Sequence, residues 1–217
     1  MKTMRKEKIY FAVCSASALV LMTVSAMQIR ALVQTPPPIS QIKPLPNVTS
    51  AAAIGDARNS LGKADAPFTL VEFADYECPA CKPAHDAIKI WTTTHPDVRF
   101  VFRHFPLTEI HPYALIAAVA AEAAGEQGKF WPMHDLLYAH SSRLTRQDLE
   151  GYAVSIGLNV IQFHKAFSRR SAAVARVNAD LKQASQSKFD GTPTLLWRAA
   201  DGSVSSVAVT DLNRLTL

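Results

Sequence analysis

Cysteine is nearly absent from this 217-residue chain, with three copies at positions 14, 78 and 81. So few exclude the dense disulfide framework of a small secreted scaffold, and a chain this long can bury enough apolar surface to stand without one. Concentrated positive charge is also missing. The formal net charge is +5, of which residues 1–26 contribute +3, leaving about +2 for the other residues. A dilute surplus of that kind lacks the basic cluster that nucleic-acid binding requires. There is no second CxxC and no close His-x-x-x-His, whereas a structural zinc site needs four ligands. His104, His111, His134, His140 and His164 are scattered through positions that read as packing or loop. No metal and no other cofactor is expected.

The chain does have one long uncharged run, residues 9–29, preceded by Lys2, Arg5, Lys6 and Lys8. It reads as an export signal or a single membrane anchor. The basic flank belongs on the cytoplasmic side, which places the remainder in the periplasm or another extracytoplasmic space. Val24 and Ala26 suit cleavage after Ala26, which would release a soluble protein, while a run of 21 residues is also long enough to stay in the inner membrane. Cys14 lies inside it, away from any chemistry. Residues 30–63 read as a Pro/Ala-rich linker, with Pro36, Pro37, Pro38, Pro44 and Pro46 disfavouring helix. Beyond residue 29 the cysteines are Cys78 and Cys81, so no third thiol competes with that pair.

Element signals begin near Asp65. Phe68–Ala74 reads as a buried central strand interrupted by Glu72, and Val98–His104 alternates as a second strand. Between them Pro79 suits a first helical position, and residues 82–93 can carry a helix with Ala84, Ile88 and Trp91 on its apolar side. An alanine-rich helix is expected over 112–125, and another around Phe130, Met133, Leu136, Leu137 and Tyr138. A third starts at the weak capping signal of Thr145 and Asp148 and closes at Gly157; two more follow over 160–167 and 170–188. Short strands at 194–197 and 204–209 flank the turn at Asp201-Gly202, before a weak terminal helix at 211–217. The pattern is an α/β domain interrupted by helices.

Cys78-Pro79-Ala80-Cys81 falls at the first strand-to-helix junction. Two cysteines so spaced can share a disulfide across one turn, and a thiolate at a helix N-terminus is favoured by unpaired N–H groups and the helix dipole. Cys78 is therefore expected to attack and Cys81, one turn inside, to resolve. Glu72, an acid in a strand that reads as buried, must be protonated, paired or hydrated; the alternative is that it faces solvent from an edge.

Over residues 60–217 the chain resembles the DsbA-like thiol oxidoreductases, which have a thioredoxin-like fold with an inserted all-helical subdomain. The resemblance rests on an ordered set of motifs: Val71-Glu72-Phe73 ahead of the CxxC, His104-Phe105-Pro106-Leu107, His111-Pro112, Gly128-Lys129-Phe130-Trp131, Gly157-Leu158 and Gly191-Thr192-Pro193-Thr194. It implies a thioredoxin-like domain from 64–108 and 187–217, and a helical lobe from 109–186. It also implies that Glu72 relays protons to Cys81, that Pro193 is a cis-proline at which substrate docks, and that Thr192, Pro79 and Ala80 line the substrate site. His85 is a weak candidate for tuning, otherwise a half-exposed helix residue. Pro-Ala departs from the Pro-His of the best-known oxidases of the family and removes a cation beside Cys78, so a milder oxidant is expected. The implied activity is disulfide formation in secreted or periplasmic proteins, with reduced or misoxidised exported proteins as substrates and a membrane redox partner to recycle the pair. Isomerase or reductase activity is the near alternative, and a non-catalytic peptide-binding or chaperone module the distant one. The apolar residues around Phe130 and Trp131 could form either core or a client surface.

Overall fold

A computed structural model describes residues 58–215; the run at 9–29, Cys14 and most of the expected linker lie outside the described residues. All described residues belong to a compact unit within Ile42–Leu217. Its sheet has the order β1-β3-β2-β4-β5, formed by β1 (Ser60–Leu61), β2 (Phe68–Ala74), β3 (Val98–His104), β4 (Thr194–Arg198) and β5 (Val204–Val207). β2 and β3 are parallel and the other pairings antiparallel. The parallel pair is connected through α1 (Cys81–Thr93). The expected α/β architecture with inserted helices is present.

β2 lies at the centre of the sheet, and its alternation sends side chains into two cores. Leu70 and Ala74 join the larger one with Ile88 and Trp91 of α1 and the helical insertion. Val71 and Phe73 pack on the other face with Ala184 and Phe189. The insertion comprises α2 (Ala114–Gly125), α3 (Phe130–Ala139), α4 (Arg146–Ser155), α5 (Val160–Lys165) and α6 (Ala172–Gln186). Apolar on almost every side, α2 is a buried helix, and its alanines let α3 and α6 approach closely. Phe130, Met133, Leu137 and Tyr138 are buried, which assigns the aromatic motif of α3 mainly to core.

Several local features depart from expectation. Ser60–Leu61, inside the stretch read as linker, pairs antiparallel with Phe100 and Val101 as an edge strand. Gly62 turns the chain away with φ +88°, and a Cβ there would lie 2.7 Å from the Val98 carbonyl oxygen. Helix α1 starts at Cys81, because the Cys81 N–H donates to the Cys78 carbonyl and leaves Pro79 in the preceding turn. The Thr145 capping box is complete with Asp148 as its acid. The terminal helix is a 3-10 segment, Val209–Arg214.

A buried ionic network centred on two carboxylates, Asp180 and Glu122, both reached by Arg58, fastens the insertion to the sheet. Arg103 of β3 donates to Asp180 of α6 through Nε at 2.7 Å and Nη2 at 2.6 Å. Glu122 of α2 accepts from Asn59 Nδ2 at 2.6 Å and Arg58 Nε at 3.2 Å, and pairs with His104 Nε2 at 3.1 Å and with Arg176 of α6. Burial by itself would raise the Glu122 pKa, but these partners, His104 foremost, hold it well below the usual carboxylate range.

Candidate active site

The end of β2, the start of α1 and the loop before β4 meet at Cys78. Asp75 closes β2 by a turn in which the Cys78 N–H donates to its carbonyl at 3.2 Å. Its buried carboxylate accepts from Glu77 N at 2.7 Å and Leu107 N at 2.8 Å, and contacts His111 Nδ1 at 2.8 Å. One side chain thus ties the turn before the cysteines to the loop after β3. Sequence reasoning passed over Asp75 because a lone acid after a strand looks like ordinary turn chemistry. His104 and His111, expected as structural or exposed, are both engaged with carboxylates.

Cys78 and Cys81 are both free thiols. Cys78 is 7% exposed and Cys81 fully buried, so Cys78 is the more exposed of the two thiols. The Cys78 thiol donates to the Thr192 carbonyl oxygen at 3.4 Å. The Thr192–Pro193 peptide bond is cis, and this segment enters β4, whose Thr194 and Leu195 pair with Phe73 and Glu72. A cavity of about 460 Å³ lies alongside, lined by residues including Phe189, Asp190, Thr192 and Pro193. Pro79 and Ala80 are exposed at its neighbour Cys78. Burial pushes the Cys81 thiol far above the free value, and the nearby Asp75 backbone and Thr192 hydroxyl offset only part of that.

Glu72 is fully buried, which removes the solvent-facing alternative. Neither carboxyl oxygen has a hydrogen-bond partner among the described residues, and burial raises its pKa from 4.5 to about 8. It lies on the same face of β2 as Leu70 and Ala74, toward α1, and its charge acts on Cys81. The site therefore combines a thiol at the edge of burial, a fully shielded thiol and an acid able to hold or release a proton near neutral pH. His85 is not half-exposed: it is buried, stacked on Tyr138 with ring centres 5.0 Å apart, and contacts His134 at 3.1 Å. Among the described residues no cluster of His, Cys, Asp and Glu is arranged to hold a metal ion.

The thioredoxin family model matches residues 56–206. Among solved structures, a thioredoxin-like oxidoreductase from Silicibacter pomeroyi is 27% identical with a TM-score of 0.65, covering 75% of this chain and 92% of that one. BdbD from Bacillus subtilis is 24% identical with a TM-score of 0.64, covering 77% and 93% respectively. The thiol-disulfide exchange protein alpha-DsbA2 from Wolbachia pipientis is 18% identical with a TM-score of 0.64, covering 76% and 88%; these last two bear on the fold. A curated relative, the Na(+)/H(+) antiporter NhaA 1 of Salinispora arenicola, is 47% identical over 133 residues, which is 61% of this chain and 20% of the antiporter. The chain thus spans about a fifth of the length of the curated relatives it matches. Among the described residues no helix is long and apolar enough to cross a membrane.

Proposed function

Since the chain belongs to the thioredoxin family of thiol-disulfide oxidoreductases and is DsbA-like in fold, we propose that it is an exported enzyme that introduces disulfides through Cys78 and Cys81. A thiolate of a reduced exported protein attacks the Cys78 sulfur of the oxidised pair, and the bond to Cys81 breaks. A second thiolate of the substrate then attacks the substrate sulfur of the mixed disulfide, the bond to Cys78 breaks with Cys78 leaving as a thiolate, and the substrate departs with its own disulfide, leaving the reduced pair. Glu72 supplies the proton taken up by Cys81. Thr192 and Pro193 present backbone to an extended substrate, with Pro79 and Ala80 at the rim. A membrane partner bearing a disulfide recharges the pair. The observation that carries this reading is the graded exposure of the cysteines, with Cys78 against the Thr192 carbonyl and Cys81 sealed beside Glu72.

The test pairs two variants. Cys78→Ala is expected to abolish oxidation of a reduced protein substrate, and Cys81→Ala to accumulate a mixed disulfide through Cys78, seen on non-reducing gels. Full exchange by Cys78→Ala overturns the assignment; lost exchange with intact protection of unfolded peptide marks a binding module as well. Ala80 supports a reductase or isomerase as the second reading, since it brings no cation to Cys78. A reduction potential close to that of thioredoxin, about −270 mV, would favour it.

A further inference from the structure

Two acids on the turn that carries Cys78 hold the loop between β3 and α2 at both of its ends. Asp75 is buried, and its carboxylate divides its donors between two oxygens. Oδ1 accepts from the Glu77 N–H at 2.7 Å, while Oδ2 accepts from the Leu107 N–H and contacts His111 Nδ1, both at 2.8 Å. An ionised carboxylate only accepts, so His111 Nδ1 beside it carries a proton. Glu77, next to Cys78, accepts from the Tyr113 N–H through Oε2 at 2.6 Å, just before α2 begins at Ala114. The main chain adds a further tie, since the Phe105 N–H donates to the Ala74 carbonyl at 2.8 Å. The loop and the cysteine turn are thus fastened along their length.

The two oxygens of Asp75 serve different ends. An oxygen that accepts from the N–H two residues on makes an ordinary Asx turn, which Asn forms as well. The second oxygen has no local use, because its donors come from 32 and 36 residues further along the chain. On the cysteine side, the Asp75 carbonyl accepts from the Cys78 N–H at 3.2 Å, and the Cys78 carbonyl accepts from the Cys81 N–H at 3.1 Å. The Cys78 thiol donates to the Thr192 carbonyl at 3.4 Å. Direct hydrogen bonds therefore lead from His111 and Leu107 through Asp75 to the residue that reacts. Attack on the Cys78 sulfur depends on its orientation, and a displacement of about 1 Å can cost roughly a hundredfold in rate.

We propose that Asp75 and His111 are positioning residues for exchange at Cys78, locking the turn that carries it to the loop after β3. Their role rests on the thiol-disulfide reading and deepens it. When a substrate thiolate attacks, the Cys78 sulfur forms the new S–S bond while its bond to Cys81 breaks, and that electron pair stays on Cys81. When the second substrate thiolate attacks the substrate sulfur, the electron pair of the mixed disulfide leaves on Cys78. Cys78 is thus the electrophile in one step and the leaving group in the next. Cys81 restrains it covalently in the oxidised state alone. Once that bond is broken, the turn has to keep Cys78 at the Thr192 carbonyl, and the second oxygen of Asp75 fastens the turn from behind. The fastening is present with both cysteines as free thiols, the state in which it is needed. Glu77 extends it to the start of α2.

The test follows single-turnover oxidation of a reduced two-cysteine peptide by the oxidised full chain, over a range of peptide concentrations. Asp75→Asn offers one carbonyl oxygen where Asp offers two, so it can keep the Asx turn but not the tie to the loop as well. It is expected to lower the limiting rate roughly ten- to hundredfold, with the half-saturating concentration within about twofold of the unsubstituted chain. His111→Ala should behave alike, and His111→Asn, which returns an N–H near the place of Nδ1, should recover most of the rate. A merely structural role would lower Tm without separating the limiting rate from half-saturation, or one folded His111 variant from the other. Unchanged limiting rates in folded Asp75→Asn and His111→Ala overturn the proposal. So does a loss confined to half-saturation, which would make the pair a substrate contact, and so does a folded His111→Asn as slow as His111→Ala. If Asp75→Asn does not fold, the His111 variants decide, since that side chain is partly exposed. Absence of oxidation by the unsubstituted chain is a different result, which removes the thiol-disulfide reading and the positioning role with it.

Discussion

Glu72 shows how the burial of one residue sets both its own charge and the stability of the fold. An acid in a central strand has no water, and with no partner among the described residues its charged form is disfavoured, raising its pKa from 4.5 to about 8. Between those values the folded protein holds a proton that the unfolded chain has released, so stability falls as pH rises through this window. A shift of that size corresponds to something on the order of 4 kcal/mol at alkaline pH. Glu72→Gln should therefore stabilise the protein progressively, by roughly 2–4 kcal/mol at pH well above 8 and little below 5. Urea midpoints measured at both ends check this; an equal gain at each would show that Glu72 does not titrate in that window. The acid was recognisable in the sequence because a lone Glu interrupts Phe68–Ala74. Asp75 and the His134–His85 contact were not, since their partners lie 32 to 49 residues away.

At the level of elements, the β2-α1-β3 unit and the five inserted helices were readable from periodicity, turn residues and caps. The edge strand Ser60–Leu61 was not, because two residues carry no period and hold their place by pairing with β3. Gly62 makes that pairing workable by turning where a side chain would run into the Val98 carbonyl. Gly62→Ala should destabilise the fold by roughly 1–3 kcal/mol, seen as a lower Tm with thiol-disulfide exchange at wild-type rate. No change in Tm would mean that β1 contributes little to the sheet. Residues 58–63, read from the sequence as linker, thus belong with the sheet.

Across the whole molecule, the insertion is held to the sheet by apolar packing and by a buried ionic network around Asp180 and Glu122. Glu122 joins α2 to β3, α6 and the segment before β1. Its partners depress its pKa, so its contribution to stability is present above the unfolded value of 4.5 and is lost as pH falls toward the lower folded value. Glu122→Gln is expected to lower stability at neutral pH by roughly 3–5 kcal/mol and to flatten the acid limb of the unfolding profile. Chemical denaturation at neutral and acidic pH measures both, and an unaltered acid limb would assign acid sensitivity to another carboxylate.

The sequence by itself determined that Cys78 and Cys81 are the paired thiols of an α/β domain with inserted helices, because strand alternation, helix period and CxxC spacing are local properties. The tertiary structure alone decided which of those thiols is the more exposed, where Glu72 points and which histidines meet. Exposure, charge environment and contact between α1 and α3 come from chain segments packed together across the sheet, and no window of neighbouring residues contains them.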